Sequence, residues 1–200
     1  PIKNPATGSN YLTELLMSAS TNHYNLFFDV LWVNSGIAVT TTTAQAIVTP
    51  TLPARDVNGT TNGEGCMIGM LTTTANTNAA AIANATVSYT NSDGTAGRVA
   101  TLTAIAGGQI PITPVIGTIV GFSRAAGDKG VRSIQSITLG TSLGAGAVSL
   151  MICRDVASIG TTVVNLPANR VLSSPGVRLY NGTCLLHCVL ASAVTATFFN

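Results

Sequence analysis

The feature that most restricts this chain is a period-two alternation of small β-branched and apolar residues, cut repeatedly by Gly, Asn and Pro. It is clearest between Ala85 and Ile105. Val87 and Tyr89 share one strand face, with Thr86, Ser88 and Thr90 on the other. Val99, Thr101 and Thr103 alternate with Ala100, Leu102 and Ala104 on the way back. Between the arms lies Asn91-Ser92-Asp93-Gly94-Thr95-Ala96-Gly97, residues that tolerate positive φ or bond their own backbone. Strand-period arms around such a segment predict a β-hairpin with a long loop.

The rest of the chain repeats the theme. Strands are expected over Asn25–Val33, Ile37–Val48, Cys66–Thr74, Val115–Phe122, Thr161–Leu166, Arg178–Leu190 (interrupted at Asn181-Gly182) and Ala193–Phe199. A second hairpin is expected from Ser133–Gly140 and Ala145–Arg154 around Thr141–Gly144. Arg55–Gly65, with three Gly and two Asn, is the longest loop signal. One helix is expected over Tyr11–Ser18, capped by Asn10, with Tyr11, Leu12, Leu15 and Leu16 as its apolar face. Residues 1–10 read as an extended arm, either a loose terminus or a segment that docks on a neighbouring subunit. No repeat of solenoid or propeller length recurs. The expected fold is all-β: an antiparallel, jelly-roll-like β-sandwich over residues 25–200, preceded by the arm and short helix over 1–24.

Composition adds a constraint on surroundings. Apolar residues make up 46% of the chain and charged residues only 8%, against roughly 25% charged in an ordinary soluble domain. A surface so poor in charge belongs in a membrane or against other subunits. The apolar stretches Leu26–Val33 and Gly144–Cys153 are interrupted by Asp29, Ser149 or glycines, and a spanning helix needs about 20 apolar residues in a row. Burial against other subunits is therefore the favoured explanation. The nine Lys and Arg are scattered and the net charge is +2, which leaves no basic patch for nucleic acid. The four cysteines, Cys66, Cys153, Cys184 and Cys188, each sit in an apolar run and read as reduced, buried thiols of a protein made in a cytoplasm. No basic-then-apolar leader precedes the body, so no secretory signal is expected, and Pro1 fits loss of an initiator Met.

Chemistry-bearing residues are few. Among seven acids, Asp56 and Glu64 flank one loop and are the one candidate acid/base pair. The plainer reading is that they pair with Arg55 or solvate the loop. Asp128, beside Lys129 and near Arg132, reads as a turn with local ion pairing. The histidines are His23 and His187. Cys184-Leu-Leu-His187-Cys188 has the look of a metal site, but a strand sends His187 to the face opposite Cys188, which favours a structural strand. No nucleophile elbow, P-loop or dinucleotide glycine fingerprint occurs. The sequons at Asn58, Asn84 and Asn181 read as ordinary Asn-rich turns and strands, and the Thr runs at 40–43 and 72–74 as β packing. No catalytic, cofactor-binding or metal-ligating residue is assigned.

Four segments resemble a family of small virion proteins of tailed bacteriophages: LFFDVLWVNSGI (26–37), LPARDVNGTTNGEG (52–65), VSYTNSDGTAGR (87–98) and AAGDKGVRSIQSITLG (125–140). The patterns at Tyr89–Arg98 and Gly127–Ser133 are the most specific pieces. The resemblance implies a structural component of the particle, made in the host cytoplasm and located in the virion, with no catalytic residue to carry over. Among particle roles a head decoration or cement protein is favoured, bound to the major capsid protein and to copies of itself as a homo-oligomer such as a trimer. The alternatives are a tail, neck or baseplate component, and a host-recognition protein that binds receptor or glycan through Arg55–Gly65 and Asn91–Gly97. No cofactor, nucleic acid or membrane is expected as a partner.

Overall fold

The structure, a computed structural model, describes residues 1–78, 85–102, 116–161, 163 and 165–191, with only the backbone at 190 and 191. Among them every regular element is a strand. In chain order these are β1 (Asn10–Leu12), β2 (Glu14–Met17), β3 (His23–Asn34), β4 (Gln45–Ala46), β5 (Cys66–Thr74), β6 (Thr86–Asn91), β7 (Arg98–Leu102), β8 (Ile119–Ser123), β9 (Val131–Thr138), β10 (Ala147–Thr161), β11 (Ala168–Val171), β12 (Val177–Leu179) and β13 (Leu185–Ala191). Nine of them form one sheet in the order β13-β3-β10-β5-β8-β7-β6-β9-β4, and β1-β12 and β2-β11 form two-stranded sheets. The β5–β8, β6–β7, β6–β9, β7–β8, β4–β9, β13–β3, β1–β12 and β2–β11 pairings are antiparallel. The described residues divide into two compact units, one of Leu31–Cys153 and the other of Pro1–Val30 with residues 154–191.

The Leu31–Cys153 unit contains the hairpin that alternation predicts. Thr86 pairs with Thr101, Val87 with Ala100, Ser88 with Val99 and Tyr89 with Arg98. Val87, Tyr89 and Ala100 are wholly buried, and join Ile68, Phe122, Ile134, Ile137, Leu150 and Ile152 in the core. The second expected hairpin does not form. β9 lies beside β6 and β4, whereas β10 lies between β3 and β5. Their burial patterns differ accordingly. β9 buries Val131, Ile134 and Ile137 and exposes Arg132 and Gln135, so it suits a site near the sheet's border. β10 is buried without a break from Val148 to Arg154, as in a strand of the sheet interior covered on both faces.

The expected strand over Ile37–Val48 shrinks to the two residues of β4. Thr41 N–H donates to the Ala38 carbonyl, and the Gln45 amide bonds both Ala38 N–H and Ala38 C=O, closing a turn where a ladder was expected. Val115 lies outside the described residues, and β8 begins only at Ile119. The expected Thr161–Leu166 strand is also displaced. β10 ends at Thr161 and the next strand is Ala168–Val171. The Ala193–Phe199 expectation, and the hairpin arm beyond Leu102, fall outside the described residues.

In the other unit the expected helix over Tyr11–Ser18 is replaced by β1 and β2. Leu12, Leu15 and Met17 join a core with Val156, Ile159 and Leu179, while Tyr11 and Leu16 point to solvent. Within each of the two strands that is a two-residue period. A helix would have placed all four expected apolar residues on one face. Backbone partners from β12 and β11 satisfy the segment instead: Tyr11 pairs with Arg178 and Leu15 with Arg170. The terminal segment bonds its own chain as well. Ile2 N–H donates to the Thr183 carbonyl and Gly182 N–H to the Ile2 carbonyl.

Candidate functional site

The three segments 52–65, 87–98 and 125–140 meet in the Leu31–Cys153 unit, through their loops. Gly65 N–H donates to the Lys129 carbonyl, Val131 N–H to the Gly63 carbonyl and Ser92 N–H to the Gly130 carbonyl. Arg124 braces the junction by donating to the Cys66 and Lys129 carbonyls at 2.8 and 3.1 Å. Gly63 and Gly130 let the two backbones touch. A Cβ on Gly63 would run into the Val131 carbonyl, and one on Gly130 into the Gly63 carbonyl.

At the centre of the cluster lies Asp128, whose side chain is 6% exposed. Its partner is not Lys129 or Arg132, as sequence proximity suggested. Arg98 Nε donates to Oδ2 at 2.9 Å, Tyr89 hydroxyl donates to the same oxygen, and Asn91 Nδ2 donates to Oδ1 at 2.9 Å. Pairing of Tyr89 with Arg98 across the hairpin puts those two groups on neighbouring strands, within reach of one carboxylate. Asn91 also closes the 91–95 turn, where its Oδ1 accepts from Thr95 N–H at 2.8 Å. Tyr89 hydroxyl in turn accepts from Ala125 N–H at 2.9 Å. Burial opposes the charge on Asp128, yet the bonds from Arg98, Tyr89 and Asn91 outweigh it and hold the carboxyl at about 2. Burial and the bond to Asp128 push the Tyr89 phenol up. Both groups are thereby moved away from neutral pH, whereas general acid–base work calls for a group poised near it.

Asp56 and Glu64 occupy the same loop but do not form an acid/base pair. Asp56 is wholly buried. Its Oδ1 accepts from Asn58 and Thr60 N–H at 3.0 and 2.7 Å, and its Oδ2 accepts from Thr60 Oγ1 and Glu64 N–H at 2.6 and 3.2 Å. A carboxylate has about four lone-pair sites, and all are taken. Asp56 therefore holds the loop in shape and has no site left for a cation or a transferred proton. Glu64 accepts from Asn58 Nδ2 at 2.7 Å.

The Cys184–Cys188 segment leads into β13 and forms its first half. His187 stacks on Phe27 at 4.7 Å between ring centroids, and its Nε2 bonds Asn25 Oδ1 at 2.8 Å. Cys184 is exposed, against the expectation of buried thiols, while Cys66 and Cys153 are buried. Cys188 is half-buried, and burial pushes its thiol up to about 11. Among the described residues no three His, Cys, Asp or Glu side chains cluster to hold a metal. His23 Nδ1 bonds the Thr21 carbonyl at 2.8 Å.

A second buried charge group escaped the sequence reading. Asp29 on β3 is wholly buried, accepts from Thr183 Oγ1 at 3.1 Å and Cys184 N–H at 3.0 Å, and lies 3.7 Å from Arg154 Nη2. Arg154 donates to the Arg178 carbonyl at 3.1 Å, and its guanidinium lies 5.2 Å from the centre of the Tyr180 ring. The available signal was Asp29 inside the apolar run LFFDVLWV and Arg154, followed by Asp155, at the end of the apolar run SLMIC. No protein-family model, curated protein or solved structure matches this chain.

Proposed function

We propose that this chain is a non-enzymatic structural protein of a tailed-phage particle, a head decoration (cement) protein that binds the major capsid lattice and copies of itself. The observation that carries the reading is the use made of the resemblance segments. Asp56 fixes its own loop, Asp128 ties the 125–140 segment to Tyr89, Asn91 and Arg98 of the 87–98 segment, and backbone bonds at Gly63 and Gly65 join the 52–65 loop to them. Side chains committed in this way support a rigid building block. The low charge of the chain and its exposed apolar side chains, among them Leu16, Val48, Ile116 and Val171, suit surfaces covered by neighbours. Many weak contacts of that kind hold firmly when repeated over a lattice. The unbroken burial of β10 supports sandwich-type layering of jelly-roll-like kind.

Copy number tests the proposal. Quantitative mass spectrometry of purified particles, scaled to the major capsid protein, should find on the order of hundreds of copies for a component repeated over the shell. A handful of copies moves the protein to the neck, tail or baseplate. Absence from particles refutes the virion reading.

A further inference from the structure

We infer that Asn62-Gly63 is a self-modification site, at which Asn62 loses ammonia through a cyclic imide to give aspartate and isoaspartate and so loosens the loop junction. The inference goes beyond the virion reading and does not rest on it. The chain has three Asn-Gly pairs, at 58–59, 62–63 and 181–182, and one Asp-Gly pair, at 93–94. In such pairs the glycine nitrogen can reach the preceding side-chain carbonyl carbon, because glycine has no Cβ to hinder the approach. Exposure does not separate the four, since Asn58, Asn62, Asp93 and Asn181 are all exposed.

Backbone bonding does separate them. The attacking nitrogen must give up its proton and turn toward the side chain, so an N–H held by a carbonyl reacts only after that bond opens. Gly59 N–H donates to the Asp56 carbonyl at 3.0 Å, Gly94 N–H to the Asn91 carbonyl at 3.0 Å and Gly182 N–H to the Ile2 carbonyl at 2.7 Å. Gly63 N–H makes no hydrogen bond among the described residues. The asparagine side chains divide in the same way. Asn58 Nδ2 donates to Glu64 Oε2 at 2.7 Å, and Asn181 Oδ1 accepts from Asn4 N–H at 3.4 Å. Asn62 donates its backbone N–H to Thr60 Oγ1 at 3.2 Å, and its side-chain amide makes no bond among the described residues. Asn62 alone of the three asparagines combines an unheld side chain with an unheld N–H on the next residue.

The chemistry needs only water. Gly63 N bonds to Asn62 Cγ as the Cγ–Nδ2 bond breaks, and the Gly63 amide proton leaves with the side-chain nitrogen as ammonia. Water then opens the ring with no transfer of electrons. Opening at Cγ leaves aspartate on a main chain of ordinary length. Opening at the main-chain carbonyl carbon leaves isoaspartate and routes the chain through Cβ and Cγ, one atom longer. That atom enters directly before Gly63, whose carbonyl accepts from Cys66 and Val131 N–H at 3.1 and 3.0 Å. The space a Cβ would need on Gly63 is filled by the Val131 carbonyl, so the junction tolerates little displacement. Isoaspartate at 62 therefore draws the 52–65 loop away from the 125–140 segment.

The test keeps the full chain in warm, mildly alkaline buffer and locates the change by peptide mass spectrometry with fragmentation. Asn62 is expected to convert first, at least about fivefold faster than Asn58 and Asn181, the factor that one backbone hydrogen bond supplies. In urea, where those bonds are gone, the three Asn-Gly pairs are expected to convert at similar rates. Asn62→Gln, whose longer side chain disfavours the five-membered ring, is expected to remove the early conversion, and Asn58→Gln to leave it unchanged. The separated isoaspartate form is expected to unfold at a lower temperature than fresh protein. Equal rates at the three sites in the native chain overturn the inference, as does conversion of Asn62 that occurs only in urea, or early conversion that persists in Asn62→Gln. An isoaspartate form as stable as fresh protein overturns the loosening of the junction.

Discussion

Replacement of Asp128 by Asn probes the centre of the loop cluster with almost no change of shape. The wild-type carboxylate receives three donors, from Tyr89, Asn91 and Arg98. An amide keeps one oxygen and turns a donor toward one side of this donor-only ring. The carboxyl falls from an ordinary 3.8 to about 2, which at about 1.4 kcal/mol per tenfold amounts to about 2 kcal/mol favouring the charged form. The Asp128 side chain is 6% exposed but its Arg98 partner is 33% exposed, so solvent screens part of this and about 2 kcal/mol is an upper figure. The sign follows from a folded value below the unfolded one. The stabilisation is complete above the unfolded value and drains away as pH falls toward about 2. Asp128→Asn should therefore cost up to about 2 kcal/mol at pH 7, a fall in Tm of at most about 4–8 °C for a chain of this size. The gap to wild type should narrow by about that amount between about pH 5 and about pH 2. Urea unfolding followed by fluorescence of Trp32, the one tryptophan, reads the correct unit, because Trp32 packs against the same core as Tyr89. Parallel stability curves for the two proteins across that pH range would refute the reasoning, as would a difference at pH 7 below about 0.5 kcal/mol.

Other perturbations follow from the same geometry. Gly63→Ala adds a methyl group against the Val131 carbonyl at a φ of +75° and should cost at least about 1–2 kcal/mol, read by thermal unfolding, while Gly127→Ala, at a similar φ but with open space around it, should cost less. Asp29→Ala leaves the buried Arg154 without its ion-pair partner and should lower stability by about 3–5 kcal/mol in urea unfolding. Alkylation of the native protein at about pH 8, followed by mass spectrometry, should label Cys184 first. Cys188, with its thiol at about 11, should lag, and Cys66 and Cys153 should react only on unfolding.

Alternation made the β6–β7 hairpin legible, because Val87, Tyr89 and Ala100 had to share one buried face and a loop of Asn and Gly stood between the arms. The same reasoning misjudged Ser133–Gly140 with Ala145–Arg154. Both strands exist, but adjacency in sequence suggested a pairing that the sheet does not make, since β10 lies between β3 and β5. It misjudged Tyr11–Ser18 because four apolar residues over six positions fit a helix face as well as a strand, and the deciding backbone partners lie far away at 168–179. Asp128 was recognised as an ion-pairing residue, yet its nearest charges in sequence were the wrong ones.

The amino-acid sequence by itself determined the local terms: an all-β chain, the principal hairpin, a surface with little charge, and loops set by Gly and Asn. Those properties depend on residues within a few positions of one another. Tertiary structure alone decided which strands are neighbours, that Asp128 belongs to Tyr89, Asn91 and Arg98, that Asp56 is saturated by its own loop, and that β13 ends the sheet among the described residues. Most of these depend on groups brought together from distant parts of the chain, and such pairings are chosen by the burial of whole faces and the satisfaction of buried polar atoms rather than by local pattern.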